Sequence, residues 1–268
     1  MKLEFIKMCG CGNDFICVNG FKFTVPDPAQ TALKRCDRHF GIGADGLIIV
    51  RKCDDADVYM EIYNSDGSIA KMCGNGIRCV GKFAYEQGLV GGTDISVGTL
   101  SGVKKLTLDV KNGEASYVTV DMGVPRASDT VEVKLDGGNV TGYPVDMGNP
   151  HCVLFMEDIA NLNIKDIAGI VAGLPEFPEG VNTEFIEIKG NNALNMRVWE
   201  RGCGETLACG TGACASVVAA CKNGYAAIGE DVSVTLPGGT LTINYDGKRI
   251  FMGGKVEKTF EGFTEVDF

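Results

Sequence analysis

The chain is short of the residues that metal sites and nucleic-acid surfaces rely on. It has two histidines and one tryptophan in 268 residues, and nowhere a Cys-x-x-Cys pair. Without paired-thiol spacing or spare imidazoles, a zinc or iron–sulfur site has little to build on, although cysteine is plentiful at 12. Basic charge is also scarce: 25 Lys and Arg stand against 35 Asp and Glu, a net −10. Nucleic-acid binding calls for a basic face, so that role is disfavoured. Long apolar runs are missing too. Met1-Lys2-Leu3-Glu4-Phe5-Ile6-Lys7 has no signal-peptide core, and no later stretch is long enough to span a bilayer. A cytoplasmic protein with no membrane partner is expected. Disulfides are disfavoured in that reducing compartment, so most cysteines, among them Cys17, Cys36, Cys53 and Cys221, are expected to be small packing residues. There is no low-complexity segment.

Against these absences stands a repeat. Cys73-Gly74-Asn75-Gly76 has a counterpart in Cys209-Gly210-Thr211-Gly212, 136 positions later (209 minus 73). The same offset lays Ile62–Gly88 over Val198–Gly224 without a gap. It pairs Tyr63 with Trp199, Asn64 with Glu200, Gly12-Asn13 with Gly148-Asn149, and Gly46 with Asn182. A constant offset over separated matches implies internal duplication, hence two similar domains facing each other. In each copy a strand ends, a turn or loop follows, and a Cys-Gly-x-Gly run opens an apolar helix closed by Gly88 or Gly224. Each cysteine should therefore sit at a helix N-terminus. There, backbone N–H groups and the helix dipole favour a thiolate and lower its pKa. The bare glycines let a carboxylate approach those N–H groups.

Two thiols in two mirrored halves suit one kind of chemistry. Inverting a stereocentre needs a base on one face and an acid on the other, and a thiolate and a thiol exchange those roles when the reaction reverses. They titrate as a coupled pair. Other residues gain meaning from their place in the repeat. Asn13, with Asn149 as its duplicate, offers an amide to a substrate amine or carboxylate. Arg201 can hold a carboxylate in a two-pronged pair. Glu200 can receive an amine or set the charge of the thiol pair. His39 reads as structural.

Met8-Cys9-Gly10-Cys11-Gly12-Asn13-Asp14-Phe15, Gly41-Ile42-Gly43-Ala44-Asp45-Gly46, Asn64-Ser65-Asp66-Gly67, Met72-Cys73-Gly74-Asn75-Gly76-Ile77-Arg78-Cys79, Gly148-Asn149-Pro150-His151, Gly180-Val181-Asn182-Thr183 and Glu200–Ala213 occur in one order across nearly the whole chain. Together they resemble the diaminopimelate epimerases. The resemblance implies an α+β fold of two pseudo-symmetric domains, each an antiparallel sheet wrapped around a central helix, with the active site in the cleft between them. It implies pyridoxal-independent epimerisation of LL-2,6-diaminopimelate to the meso form, a homodimer, and no cofactor or metal. Nothing in the sequence resembles a pyridoxal lysine site. By the same resemblance His151 lies near the reacting centre, Asn182 is a substrate ligand, and Cys73 and Cys209 are the acid and base. The substrate carboxylate would rest on the N–H groups around Gly74-Asn75 and Gly210-Thr211, with Asn64, Asn149, Asn182 and Arg201 discriminating the distal end. Two positions depart from the pattern: Cys9 stands where His is usual, and Gly46 where many relatives carry Gln. A cofactor-independent racemase of the histidine or proline type, and a cysteine-rich metal-binding module, are the competing readings.

The remaining pattern fills in the fold. Asp27–His39 and Leu162–Ala172 read as helices. Leu47–Val50, Val58–Tyr63, Glu184–Ile188, Met196–Trp199, Val232–Leu236 and Thr240–Tyr245 read as strands. Residues 89–135 alternate apolar and polar, as antiparallel strands with one wet face do. Domains are expected at 1–130 and 131–268, with a linker inside Val124–Gly142.

Overall fold

A computed structural model describes residues 1–266. In chain order the elements are β1 (Lys2–Gly10), β2 (Asn13–Asn19), α1 (Pro28–Arg35), β3 (Gly46–Arg51), β4 (Val58–Asn64), α2 (Gly74–Glu86), β5 (Asp94–Gly98), β6 (Lys104–Lys111) and β7 (Glu114–Gly123). Then come β8 (Arg126–Ala127), β9 (Val131–Leu135), β10 (Gly138–Asp146), β11 (Pro150–Phe155), α3 (Ile164–Ala172), β12 (Asn182–Gly190), β13 (Ala193–Glu200), β14 (Gly204–Thr206) and α4 (Gly210–Lys222). The last strands are β15 (Asp231–Leu236), β16 (Gly239–Tyr245), β17 (Ile250–Lys255) and β18 (Glu257–Glu265). The chain forms two compact units. One is Met1–Val120 together with the segment from Gly254 onward; the other is Asp121–Gly253.

These bounds differ from the division expected at residue 130. The last strand, β18, pairs antiparallel with β1 from Lys2↔Glu265 to Cys9↔Glu257, which returns the C-terminal segment to the first unit. The expected linker is also not a linker. Val124–Gly142 contains β8 and β9, both paired with β10, and Val131 and Val133 of β9 are buried. The helix expected over 27–39 stops at Arg35. Asp27 caps its start by accepting the Gln30 N–H at 3.0 Å. Its end is closed by Ile42, Gly41 and Ala44, whose N–H groups take the carbonyls of Arg35, Asp37 and Cys36.

In the first unit, β3 is the run Leu47-Ile48-Ile49-Val50, fully buried. Leu47 and Ile49 join the cluster with Ala32 of α1, while Ile48 meets Gly76 of α2. The strand is covered on both faces, as its unbroken apolar run requires. The central helix α2 is buried from Gly74 through Ala84 and packs against β1 to β6. The second unit repeats the arrangement: α3 covers the cluster holding Phe185 and Leu154, and α4, buried through most of its length, packs against β10, β11, β12 and β16. Pairing within the units is mostly antiparallel. Parallel pairs include β2–β3, β4–β5, β11–β12 and β13–β15.

The duplication holds at the level of hydrogen-bond register. Phe15 pairs with Gly46 in the parallel β2–β3 ladder, and His151 with Asn182 in β11–β12, each pair 136 residues from the other. Helices α2 and α4 start and end at the same offset, and Gly12 and Gly148, like Gly88 and Gly224, share left-handed backbone. Register follows from side-chain burial, so an inherited pattern of buried positions fixes an inherited ladder.

Gly46 shows why this chain departs from the pattern there. A Cβ at this position would lie 2.6 Å from the Tyr63 carbonyl on the paired strand β4. With this spacing of β3 and β4, a side chain there requires the strands to shift apart. Gly46→Ala should cost about 1–3 kcal/mol through forced spreading of β3 from β4. Urea unfolding checks this, and an unchanged midpoint would show that the strands can part.

Cys17, Cys36 and Cys221 are buried packing residues, as expected, and Cys53 is half-buried. Burial pushes the thiols of Cys79 and Cys152 up to about 12, and those of Cys17 and Cys209 well above the ordinary value. A raised folded pKa contributes stability that is complete below the unfolded thiol value and lost as pH climbs toward the folded one. Each such thiol should therefore cost stability at about 1.4 kcal/mol per pH unit above roughly pH 8.5. Urea midpoints under reducing conditions should be level around neutrality and drop steeply by about pH 10; a level profile to that pH would contradict it.

Candidate active site

In the first unit β4 delivers the chain to Asn64, and a tight turn with Gly67 in left-handed backbone reverses it. The Asn64 amide donates to Ser68 Oγ at 2.9 Å within its own turn and is exposed. Cys73 then caps α2. Its backbone is extended, its carbonyl accepts from Ile77, and its Sγ accepts the Gly76 N–H at 3.4 Å. Sulfur thus takes the place of the usual capping oxygen, and a negative sulfur is favoured at the positive end of the helix. The N–H groups of Gly74 and Asn75 belong to the same first turn, whose donors lack intrahelical partners.

Behind this turn lies a polar chain of contacts. Asn75 Nδ2 donates to Asn13 Oδ1 at 2.6 Å, and Asn13 Nδ2 donates to Asp45 Oδ2 at 2.9 Å. Arg78, fully buried, donates to Asn75 Oδ1 at 2.8 Å and to the Gly74 carbonyl at 3.0 Å. Asn13 and Asn75 are therefore brought together, each amide already engaged at both ends. Each retains one N–H and one lone pair for anything else. Asp45 also accepts from Arg38 at 2.7 Å.

In the second unit β13 ends at Glu200, whose Oε1 accepts from Thr206 Oγ1 at 2.6 Å. Asn182, buried at the start of β12, accepts the Arg201 N–H at 2.9 Å, which ties two expected ligands together through the backbone. The exposed Arg201 guanidinium donates to the Glu179 carbonyl at 2.7 Å. Asn149 is half-buried in the turn after Gly148. Cys209 caps α4 with extended backbone, and its Sγ lies 3.5 Å from Thr211 Oγ1 in the first turn that also holds Gly210.

The expectation of a depressed thiol pKa fails at Cys209. Burial is the largest cause of its rise, and the charges of Glu200 and Glu184 push the same way; the Thr211 hydroxyl and the Gly212 N–H oppose them without prevailing. The helix terminus is a partial charge, whereas desolvation and two carboxylates together outweigh it.

His151 is fully buried, and its Nδ1 lies 2.7 Å from Glu184 Oε1, also fully buried. Burial raises the Glu184 pKa, while His151 opposes the rise. His39, by contrast, is exposed. Sequence reasoning passed over Glu184, Asp45 and Arg78. Asp45 and Arg78 lay inside recognised motifs but read as spacers. Glu184 lay inside a strand that otherwise reads as core, between Thr183 and Phe185.

Among the described residues, no group of three or more His, Cys, Asp or Glu is arranged to hold a metal ion. No helix is long and apolar enough to cross a membrane.

Comparison with known proteins agrees with this geometry. The diaminopimelate epimerase family profile matches residues 5–128 and 143–259. A diaminopimelate epimerase of Pelotomaculum thermopropionicum is 46% identical over 277 aligned residues, covering 97% of this chain and 98% of that protein. One from Parabacteroides distasonis is 41% identical, covering 98% of each. Among solved structures, a PhzF-family protein of Bacillus anthracis superposes with a TM-score of 0.75 at 14% identity, covering 99% of this chain and all of that one. A probable proline racemase of Agrobacterium radiobacter gives 0.72 at 16%, covering 99% and 93%. Those two share the fold. With a family profile matched on both sides of residues 129–142 and near-complete alignment to relatives above 40% identity, the chain belongs to the diaminopimelate epimerase family.

Proposed function

We propose that the chain epimerises LL-2,6-diaminopimelate to the meso form by a two-base thiol mechanism that requires no pyridoxal. The observation that carries this reading is the twin placement of Cys73 and Cys209, each the N-cap of a buried helix at the same position of a duplicated unit. One thiol removes the α-proton and the other returns a proton to the opposite face. Cys73 and Cys209 exchange the roles of base and acid with the direction of the reaction. Charge growing on the substrate carboxylate as the α-proton leaves is stabilised by first-turn N–H groups at Gly74-Asn75 and Gly210-Thr211. Arg201, Asn64, Asn149 and Asn182 are proposed to read the distal amine and carboxylate, and Glu200 the local charge. Asn13 is proposed to act mainly by holding Asn75. The protein is proposed to work in the cytoplasm, as a homodimer, supplying precursors for lysine and peptidoglycan.

Proton NMR with LL-diaminopimelate in deuterated water tests the reading. Loss of the α-proton signal together with appearance of the meso isomer is expected. No exchange by folded, reduced protein would remove this substrate, and a panel beginning with histidine and proline would then replace it.

A further inference from the structure

The two units repeat the same helix cap around their cysteines, but the buried residues beneath the first turn differ between the copies. In the first unit the first turn of α2 rests on Ile48: a Cβ at Gly76 would lie 3.1 Å from Ile48 Cδ1. In the second, the first turn of α4 rests on Glu184: a Cβ at Gly212 would lie 2.6 Å from Glu184 Oε1. Residues 48 and 184 are one duplication apart, as are Phe15 and His151. Phe15 and Ile48 are buried and apolar, whereas His151 and Glu184 are buried and polar, joined at 2.7 Å. The first unit shows that the fold needs no polar group at either place. A buried His–carboxylate pair contributes less to stability than apolar residues of similar size, so its presence in one unit alone calls for a reason other than folding. His151 Nε2 and Glu184 Oε2 are both buried without a protein partner, and such groups are costly unless something else engages them.

We propose that Glu184 is a positioning residue for the reaction: packed against the first turn of α4 and gripping His151 through Nδ1, it fixes the orientation of the ring and so the direction in which Nε2 points. This rests on the epimerase reading. The titratable neighbours of Glu184 are His151 and Cys152 on β11, Glu200 on β13 and Cys209 at the α4 cap. Gly212 is the space-maker that lets the carboxyl sit there.

Two variants separate this from a packing role. The double change His151→Phe with Glu184→Ile copies the first unit. It should fold with an unfolding midpoint equal to or above that of the parent, yet lose turnover by about a hundredfold or more, in line with the loss of an oriented imidazole. Glu184→Gln keeps the volume and removes the charge. Its kcat should fall by on the order of a hundredfold with KM changed less than about threefold, and Glu184→Asp should recover part of the loss. With only two histidines, ring ¹⁵N spectra are readily assigned. His151 should show one set of ring shifts in the parent and a different set in Glu184→Gln, because the Nδ1 contact that orients the ring is altered. Unchanged ring shifts in Glu184→Gln, or full turnover in the double variant, would overturn the proposal. Absence of diaminopimelate turnover in the parent would instead overturn the epimerase reading, and the ring spectra would still decide the role of Glu184.

Discussion

Cys73→Ser and Cys209→Ser are each expected to lower epimerisation by about a thousandfold or more, with the fold retained. Serine keeps the shape of the cap but not its chemistry. A hydroxyl at a helix start remains far from ionisation near neutral pH, so it neither abstracts the α-proton nor exchanges roles with its partner when the reaction reverses. Positioned acid–base groups contribute on the order of 10²–10⁴ in rate. The two-thiol mechanism makes the pair act as a unit, so on that proposal the double variant should be scarcely worse than the poorer single one. The readout is the rate of α-proton exchange and meso formation in deuterated water. Normal turnover by both single variants would defeat the two-thiol mechanism.

Arg78→Met should clearly destabilise the first unit. Arg78 is fully buried on the central helix and holds both the Gly74 carbonyl and the Asn75 amide. Asn75 in turn fixes Asn13, and Asn13 reaches Asp45. Methionine fills most of the volume but leaves the buried Asn75 side-chain oxygen without its Arg78 donor, at a cost of roughly 1–3 kcal/mol. The urea midpoint should fall accordingly, and residual activity should fall as well, because the first turn of α2 loses its brace. Arg38→Met offers the contrast. Its side chain is 56% exposed and its ion pairs with Asp14 and Asp45 are partly solvated, so about 1 kcal/mol or less is expected. Equal midpoints for the two variants would mean that the buried network carries no special weight.

Much of this architecture was legible because duplication writes the same burial pattern twice. A single offset located both helix caps, whereas the parallel β2–β3 and β11–β12 ladders, which share that offset, were not foreseen in sheets expected to be antiparallel. What repetition could not reveal is what differs between the copies. Glu184 aligned with Ile48, so the comparison that found Cys209 treated the Glu184 position as core. The direction of the Cys209 shift was also misread, since a helix terminus is visible in sequence while the carboxylates of Glu184 and Glu200, arriving from β12 and β13, are brought near only by folding. The stretch 124–142 failed for another reason. Its polar and glycine-rich residues read as a connector, but β8 and β9 find their partner in β10, and pairing outweighs weak local preference.

The return of β18 to β1 has a consequence for biosynthesis. The second unit is one uninterrupted segment whose strands and helices lie close together in sequence. The first unit is not: its founding strand is made at the start of translation, and the strand that completes that edge only after the whole second unit. On the ribosome the second unit should thus reach its native form first, while β1 waits with an open edge, a template for stray pairing with other nascent chains. Joining β18 directly ahead of β1 in a circular permutant would reverse that order and shorten the wait.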